Sequence, residues 1–363
     1  MTTGSPSELL EVREPANAFG RIEDWLRERG FFAPGGEGLV ADLYLGYGLS
    51  QAVRRDTSTP PPEPCPTLPL AACRVQPDAS PSEGCDRLSV GEWEQTWTAE
   101  EYAAAVERVR QAIARGDVYQ VNLVQHLSAP FSGGPAALAS ALGPLRPLQL
   151  APLVGDGWAV VSASPELFLA RRGRRIWTMP IKGTRPAGEA EELAGSEKDA
   201  AEHVMIVDLE RNDLARVCEA GSVRWPELRA TRRLAGVEHM VSTVEGTLRP
   251  GVGLAEILEA TFPGGSVTGA PKIAAVDHIA SLEPVGRGAS MGALGHVRGS
   301  GDFELALTIR TFAIADGRIH LWVGGGVVWD SDPGTEVEES WTKARPLLEA
   351  IGSRPPATTA SSR

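Results

Sequence analysis

The sequence predicts an α+β fold. Segments with the pattern of strands and segments with helical spacing intermix along its 363 residues. They lack the strict strand–helix alternation of a Rossmann fold or a (β/α)8 barrel. The strongest helical segment runs from residue 197 to about residue 218, with no proline or glycine to break it. The signals for strands and helices sharpen from residue 97 onward.

Composition and charge exclude several classes of protein. The formal net charge is −12 and no cluster of five or more lysines and arginines occurs, which argues against a nucleic-acid partner. No apolar run approaches the roughly 18 residues of a membrane span, and the N-terminus lacks the basic and apolar regions of a signal peptide. The four cysteines form no CxxC pair, as expected of free thiols in a reducing compartment. We therefore expect a cytoplasmic protein with no membrane partner.

The first ninety residues contain few regular elements. Residues 19–29 have helical spacing, with Ile22, Trp25 and Leu26 on one face, and residues 39–49 have strand character. Prolines at positions 60, 61, 62, 64, 66 and 69 exclude regular structure from the next segment. We predict that residues 54–70 form an exposed loop or linker.

From residue 97 onward the pattern is clearer. Thr98 and Glu101 match a capping box that opens a helix through about Arg115; Gly116 ends that helix, and residues 118–127 alternate as a strand. Further strands are predicted at residues 158–162, 167–170, 175–180, 237–243, 289–298, 303–315 and 318–328. Further helices are predicted at residues 197–218, 254–260, 271–280 and 335–351, and a disordered tail at 352–363.

Two acidic helices are candidates for a metal site. Glu336 and Glu339 stand three residues apart, so both carboxylates share one helical face. In the earlier helix, Asp199, Glu202 and Asp213 fall close to one side. Carboxylates from two helices would suit Mg²⁺, which prefers oxygen ligands and binds few protein groups. Spacing alone favours the simpler interpretation, a solvated acidic surface.

The segment MPIKGTRPAG places Lys182 at the end of an apolar strand. Partial desolvation there would favour the neutral, nucleophilic amine. The pattern alone favours a lysine that extends along apolar surface to keep its ammonium group in water. The turn FPGGSVTGAPKI could present backbone N–H groups to an anion, and Gly324, Gly325 and Gly326 could let a ligand approach the backbone, although a glycine triplet is more often a turn or bulge. No cysteine has the surroundings of a glutaminase nucleophile, so ammonia from glutamine would require a partner.

Eight ordered blocks resemble the chorismate-utilising enzyme family, which includes anthranilate synthase component I, aminodeoxychorismate synthase component I, isochorismate synthase and salicylate synthase. The blocks are GDVYQVNLVQ, SASPELFL, PIKGT, EKDAAEHVMIVDLERND, VEHMVSTVEG, TFPGGSVTGAPKIAAV, LTIRT and GGGVVWDSDPGTEVEESWTKA. The resemblance implies an α+β fold with two large antiparallel sheets packed face to face and outer helices, like anthranilate synthase component I. Residues 96–351 would form the chorismate-binding catalytic core, and residues 1–95 a poorly matched N-terminal part of the same domain.

The resemblance also implies roles for individual residues. Glu166 matches the general acid that protonates the departing 4-hydroxyl of chorismate. Mg²⁺ would be held by Glu202 and Glu339, with Glu336 nearby. The residues expected at the substrate are Gln120, Gly183, Thr184, His239, Arg310, Gly324, Gly325, Gly326 and Lys343. Among them, Arg310 and the glycine backbone would hold the enolpyruvyl carboxylate, and His239 lies in the block that approaches the reacting carbon.

Two positions discriminate among the members of the family. Isochorismate and salicylate synthases carry a water-activating lysine where this chain has Gln120, which cannot act as a general base. Anthranilate synthases usually read PIAGT where aminodeoxychorismate synthases read PIKGT, and this chain has Lys182. The resemblance to the aminodeoxychorismate synthases implies that this lysine forms a covalent intermediate with the substrate. One departure is His296, where relatives commonly have an aromatic residue.

The resemblance to the aminodeoxychorismate synthases implies the use of chorismate, ammonia from a glutamine amidotransferase subunit, and a place in para-aminobenzoate and folate biosynthesis. Three alternatives stay open at this point. The chain could be an anthranilate synthase component I, an enzyme that adds a lyase step and releases para-aminobenzoate, or a non-catalytic chorismate-binding subunit.

Overall fold

The computed structural model describes residues 9–76, 88–149, 151–186, 188–234 and 237–356, without the side chains of residues 76, 184–186, 197–199, 233, 234 and 237. The strands are β1 (Leu9–Val12), β2 (Val40–Leu45), β3 (Ala71–Gln76), β4 (Ser89–Val90), β5 (Glu94–Gln95), β6 (Gln120–Ser132), β7 (Leu153–Gly155), β8 (Trp158–Ser162), β9 (Leu167–Arg172), β10 (Arg175–Met179), β11 (Ile181–Pro186), β12 (Arg224–Leu234), β13 (Val237–Thr247), β14 (Gly269–Ala270), β15 (Ala293–Arg298), β16 (Phe303–Leu307), β17 (Thr311–Ala315) and β18 (Arg318–Val327). The α-helices are α1 (Ala18–Glu28), α2 (Ala99–Arg115), α3 (Pro135–Leu142), α4 (Ala190–Gly195), α5 (Glu197–Ala215), α6 (Leu254–Thr261), α7 (Lys272–Leu282) and α8 (Pro333–Ala350).

The strands form two antiparallel sheets. The first sheet has ten strands in the order β1-β3-β2-β15-β16-β9-β10-β13-β11, with β12 also paired to β13. The second has eight strands in the order β14-β6-β18-β17-β8-β7, with β4 and β5 paired to β6. All these pairings are antiparallel, so the predicted α+β fold with two large antiparallel sheets is confirmed.

One apolar core contains side chains from both sheets. Leu43, Leu169 and Leu305 come from the first sheet, and Leu123 and Trp322 come from the second. A smaller core lies on the outer side of the second sheet, under helices α3 and α8. Helices α4 and α5 pack against β13 of the first sheet. Helices α3 and α8 therefore cover the second sheet, and α4 and α5 pack against the first.

Helix α2 begins and ends at the residues that its local sequence predicts. The Thr98 hydroxyl accepts a hydrogen bond from the Glu101 backbone N–H (3.2 Å), and the Glu101 carboxylate accepts one from Thr98 N (2.8 Å). The helix ends at Gly116, whose φ of 81° is the left-handed conformation that glycine adopts readily. The predicted capping box and C-terminus are both confirmed.

Several predicted boundaries were wrong. The strand expected at 39–49 ends at Leu45, and a 3-10 turn, Tyr47–Val53, follows it. The strand expected at 303–315 is interrupted at Arg310, which has a left-handed φ of 50°. Strand β12 and helix α3 were not predicted: Pro226 and the density of arginines obscured the strand, and α3 has only eight residues.

The proline-rich segment is irregular, as predicted, but it is not exposed throughout. Cys65 is only 1% exposed and belongs to the main core. The Glu63 carboxylate accepts a hydrogen bond from Gly288 N (3.0 Å). Proline removes backbone donors but does not prevent side chains from packing, so the loop is fixed against the body of the protein. Cys85 and residues 357–363 of the predicted tail lie outside the described residues.

Candidate active site

Glu166 is a buried carboxyl group in the connection between β8 and β9, and is 5% exposed. Its Oε1 accepts a hydrogen bond from Ile181 N (3.3 Å), and the Ser266 hydroxyl lies close to it. Burial raises the pKa of Glu166, although Lys182, the Ile181 N–H and Arg310 oppose that shift. A carboxyl group with a raised pKa can hold a proton and deliver it to a leaving group.

Lys182 lies in β11 opposite Met240 of β13, and the register shifts between Lys182 and Thr184. Gly183 forms this irregularity with a φ of 68°, a conformation that a β-branched residue would resist. The Lys182 ammonium lowers the pKa of Glu166 and also that of His203, so it lies near both groups. The lysine is half-buried, and it is brought to the carboxyl group that the sequence predicted as the acid.

His203 is a functional candidate that the sequence pattern did not reveal. It is fully buried on α5, and its Nε2 lies 2.5 Å from the Ser242 hydroxyl. Desolvation, followed by Lys182, lowers its pKa to about 4, so the imidazole is neutral at pH 7. Its position directly after Glu202, on the side of α5 that faces the strands, is the only signal that could have identified it.

Arg310 and His239 complete this first cluster. Arg310 occupies the break between β16 and β17, where its carbonyl accepts a hydrogen bond from Ala163 N (2.9 Å). Burial lowers the pKa of its guanidinium, and the Glu166 carboxylate opposes that change. His239 is 1% exposed and contacts the Gly183 backbone; desolvation, followed by Arg310, lowers its pKa. Thr184 pairs with His239 through the backbone, but its side chain lies outside the described residues.

A second cluster surrounds the glycine triplet in β18. A Cβ on Gly326 would lie 1.9 Å from Gln120 Nε2, so the missing side chain provides the space that Gln120 occupies. Gln120 is 1% exposed, and its Oε1 has no hydrogen-bond partner. Gly324 fits directly against strand β6, because a Cβ there would meet the Leu123 carbonyl at 1.8 Å. The triplet is therefore part of a strand and not a turn.

Gly325 faces helix α8. A Cβ at this position would lie 3.1 Å from Lys343 Nζ, 3.2 Å from Glu339 Oε1 and 3.5 Å from Glu336 Oε2. Lys343 donates hydrogen bonds to Glu339 (2.7 Å) and to the Gly324 carbonyl (2.9 Å), and Ser331 donates one to Glu336 (2.6 Å). The predicted common face of Glu336 and Glu339 is confirmed.

The acidic residues only partly form a metal site. Among the described residues, no group of three or more histidine, cysteine, aspartate or glutamate side chains is arranged to hold a metal ion. Glu202 is half-buried on α5, and Asp213 instead forms an ion pair with Lys272 (2.5 Å). The converging oxygens of Glu336 and Glu339 are hard donors of the type Mg²⁺ prefers, so the residues fit the ion chemically. Their role as ligands, with Glu202, stays a prediction.

The glycine-rich segment between α6 and α7 connects the two clusters. Ser266, in the 3-10 turn Gly265–Val267, lies beside Glu166. Asn122 N donates to the Thr268 carbonyl (2.7 Å), and Ala270 pairs with Gln120. Asn122 Oδ1 is buried with no hydrogen-bond partner, whereas the Ser266 hydroxyl interacts with the Glu166 carboxyl group. The segment therefore places one polar group at each cluster.

Comparisons with known proteins fit this arrangement. A profile described as chorismate binding enzyme matches residues 42–349. The chain is 44% identical over 264 residues to anthranilate synthase component 1 of Thermus thermophilus, covering 70% of this chain and 57% of that protein. It is 39% identical over 272 residues to aminodeoxychorismate synthase component 1 of Bacillus subtilis, covering 72% and 58%. The chain thus spans less than two thirds of the length of these relatives.

Solved structures share the fold. The chain superposes on anthranilate synthase component I from Streptococcus pneumoniae with a TM-score of 0.79 and 24% identity, over 96% of this chain and 93% of that one. For the menaquinone-specific isochorismate synthase of Escherichia coli the TM-score is 0.66 at 17% identity, over 95% and 94%. Within the described ranges, no helix is long and apolar enough to cross a membrane.

Proposed function

The chain belongs to the family of chorismate-binding enzymes, and we propose that it is the large, aminating subunit of an aminodeoxychorismate synthase. The observation that carries the proposal is the position of Lys182. Its ammonium group acts on the pKa of both Glu166 and His203, so a nucleophile and a proton donor lie in one neighbourhood. Such a pair can divide one difficult displacement into two easier ones.

The proposed first step joins Lys182 to the substrate. The Lys182 ammonium group first releases a proton to solvent. Its Nζ then attacks C2 of the chorismate ring, the ring double bond shifts, and the C4–O bond breaks. Glu166 gives its proton to the departing hydroxyl group, which leaves as water. The lysine is then a secondary ammonium group bound to C2, and Glu166 is a carboxylate. The raised pKa of Glu166 supports this role, because the acid must be protonated when the bond breaks.

The second step replaces the lysine with ammonia. Ammonia bonds to C4, the double bond shifts back, and the bond between C2 and Lys182 breaks, which returns a neutral amine. The Glu166 carboxylate takes one proton from the new ammonium group and is ready for another turnover. The sum is chorismate and ammonia converted to 4-amino-4-deoxychorismate and water. We propose that a glutamine amidotransferase subunit supplies the ammonia in para-aminobenzoate and folate biosynthesis.

The remaining residues would bind and orient the substrate. Arg310 is charged and half-buried beside Glu166, and its guanidinium suits a carboxylate of chorismate. Gln120 presents an unpaired buried Oε1 beside Gly326, and it cannot activate water as a base. That absence of a base favours amination over water addition.

We further propose that Mg²⁺ binds to Glu202 and Glu339, with Glu336 nearby. The convergence of the Glu336 and Glu339 oxygens at Gly325 supports this. The ion would supply positive charge for a substrate carboxylate. Lys343, now paired with Glu339, would then be free to contact substrate from the same wall.

Anthranilate synthase component I is the second candidate. The 44% identity to the Thermus thermophilus protein exceeds the 39% identity to the Bacillus subtilis aminodeoxychorismate synthase. Overall identity reflects the shared fold, whereas Lys182 lies where the two reactions differ. We therefore give the lysine more weight.

A product assay separates the two candidates. The purified chain would be incubated with chorismate, Mg²⁺ and ammonium, with and without an aminodeoxychorismate lyase, and the products separated by chromatography. The proposal expects para-aminobenzoate only when the lyase is present. Anthranilate without the lyase would establish the second candidate instead.

A further inference from the structure

Three buried hydroxyl groups near Glu166 have no part in the proposed chemistry. They belong to Ser162, Ser164 and Thr311, each of which is 3% exposed or less. Ser162 ends β8, Ser164 lies in the connection that carries Glu166, and Thr311 begins β17 directly after Arg310. A buried hydroxyl group is costly unless it is hydrogen-bonded, so the partners of these three groups show what they hold in place.

The three hydroxyl groups form one chain that leads to the backbone of Glu166. Glu166 N donates to Ser164 Oγ (3.3 Å), and Ser164 N donates to Ser162 Oγ (3.2 Å). Ser162 Oγ lies 2.8 Å from Thr311 Oγ1. Because the Thr311 hydroxyl donates its one proton to the Ile309 carbonyl (2.9 Å), the Ser162 hydroxyl is the donor to Thr311. The direction of each bond is therefore fixed, from Glu166 N to the Ile309 carbonyl.

The far end of this chain encloses Arg310. The Thr311 hydroxyl and the Ile309 carbonyl belong to the residues on either side of Arg310, so their hydrogen bond spans it. Arg310 has a left-handed φ of 50°, which is uncommon for a residue with a side chain and persists where the surrounding structure enforces it. The Arg310 carbonyl also accepts the hydrogen bond from Ala163 N (2.9 Å). Thr311 thus holds the conformation of the arginine and, through Ser162, joins it to the connection that carries Glu166.

The same two segments also meet at the other backbone group of Glu166. Leu307 N donates to the Glu166 carbonyl (3.0 Å). Residues 307–311 therefore hold both the N–H and the C=O of Glu166, one through the hydroxyl chain and the other directly. An acid that delivers a proton to one oxygen needs such a fixed backbone, since a displacement of about 1 Å can lower a rate about a hundredfold.

We propose that Ser162, Ser164 and Thr311 are positioning residues that fix Glu166 relative to Arg310. This role rests on the proposed function, in which Glu166 is the acid. The three hydroxyl groups do not transfer the proton; they hold the carboxyl group in place beside the guanidinium that would bind a carboxylate of the substrate. The acid and the carboxylate-binding group then act as one unit, although they lie in distant parts of the chain.

The first test is Thr311→Val, which removes the central hydroxyl group and keeps the shape of the side chain. The Ser162 hydroxyl then loses its acceptor, so kcat for chorismate consumption should fall about tenfold. Thr311→Ser, which keeps the hydroxyl group, should retain most of the wild-type kcat. Ser162→Ala breaks the chain nearer to Glu166 and repeats the test if Thr311→Val does not fold.

Thr308→Val is the matched control. Thr308 is also fully buried, but its hydroxyl accepts a hydrogen bond from Gly292 N (2.7 Å) and so serves a different segment. This variant should lower the melting temperature about as much as Thr311→Val, because each leaves a buried polar group without its partner. Its kcat should stay near that of the wild type.

A double-mutant cycle decides whether the chain acts through Glu166. In the Glu166→Gln background, Thr311→Val should cause little further loss of kcat, because the acid that the chain positions is already absent. The full loss in that background, or equal losses of kcat in Thr311→Val and Thr308→Val, would overturn the proposal and leave the acid role of Glu166 intact. Wild-type turnover in Glu166→Gln itself would instead remove the acid role, and the positioning role with it.

Discussion

The two walls of the candidate active site are built from different chemical groups. The first wall combines Lys182 of the first sheet with Glu166 and Arg310, which lie in connections between the two sheets; Lys182 and Arg310 lower the pKa of Glu166, and Glu166 raises that of Arg310. On the second sheet, three successive glycines and the Gln120 amide present backbone and neutral groups, with charge only on the neighbouring α8. The first wall is suited to moving protons and forming bonds, and the second to holding a ligand. Changes on the first wall should therefore lower kcat, and changes on the second should raise KM.

The largest expected effect is at Glu166. Glu166→Gln keeps the shape of the side chain but removes the proton, so chorismate turnover should fall about a hundredfold. In the wild type the rate should decline as pH rises through the Glu166 pKa, because the acid must be protonated. Burial raises that pKa, so the decline lies at higher pH than for an exposed glutamate.

A pH–rate profile checks this assignment. The Gln variant should lose the declining limb, whereas Glu210→Gln, a change to a neighbouring buried carboxyl group, should keep it. Retention of the limb in Glu166→Gln would transfer the acid role to another group.

The second largest effect is expected from substitution of the two lysines. Lys182 lies on the first wall, and Lys343 lies on the second. Lys182→Ala should slow amination with ammonia at least tenfold, about 1.4 kcal/mol of barrier. Lys343→Ala should instead raise the KM for chorismate several-fold and keep kcat within about threefold of the wild type. Steady-state kinetics with ammonium measures both. The same loss of kcat in both variants would break the division between the walls.

The glycine triplet allows a graded test of the second wall. Gly324→Ala should be the most disruptive, because its Cβ would collide with the Leu123 carbonyl at 1.8 Å. Gly326→Ala should displace Gln120 and raise KM about tenfold, and Gly325→Ala should have a smaller effect, because its nearest neighbour is the flexible end of Lys343 at 3.1 Å. Thermal melting and KM for the three variants measure this order, and the reverse order would contradict the wall's assigned role.

Substitution of the proposed magnesium ligand Glu339 is expected to have a smaller effect on activity than the changes above. Glu339→Gln should raise the Mg²⁺ concentration needed for half-maximal activity several-fold, since a neutral amide is a weaker ligand than a carboxylate. Glu338→Gln, one residue away, is the matched control and should leave the titration unchanged. An unaltered titration in Glu339→Gln would remove this residue from the ligand set.

A buried histidine pair in the second sheet should have the smallest effect on activity. Its expected effect is on the stability of the folded protein. His126 Nε2 lies 3.1 Å from His320 Nδ1, and desolvation lowers their pKa values to about 3 and about 4. Both are neutral in the folded protein, whereas the unfolded chain takes up protons below about pH 6.5. Stability should therefore fall as pH decreases from 7 toward 4, by up to about 1.4 kcal/mol per pH unit for each histidine.

Urea unfolding between pH 7 and pH 5 measures this slope. His126→Gln should make it shallower, and His278→Gln, a change to a histidine outside the pair, should not. A slope unaffected by His126→Gln would show that acid destabilisation arises elsewhere.

The sequence predicted elements whose signals are local. The capping box of α2 and the unbroken run of α5 needed only neighbouring residues, and both were confirmed. The predicted strand at 303–315 was wrong where Arg310 takes a left-handed φ that apolar periodicity does not encode. His203 and Ser266 were missed because their importance depends on burial beside Lys182 and Glu166, which lie elsewhere in the chain. The proline-rich loop was predicted as exposed because its packing partners, Gly286 and Gly288, are more than two hundred residues away.

The most direct test of the Lys182 assignment is the mass of the intact protein after mixing with chorismate and Mg²⁺ in the absence of ammonia. The proposed chemistry predicts an added mass equal to chorismate less one water, located on the peptide that contains Lys182 and absent from Lys182→Ala. No adduct in the wild type, with full amination activity in Lys182→Ala, would contradict the covalent role and favour direct attack by ammonia.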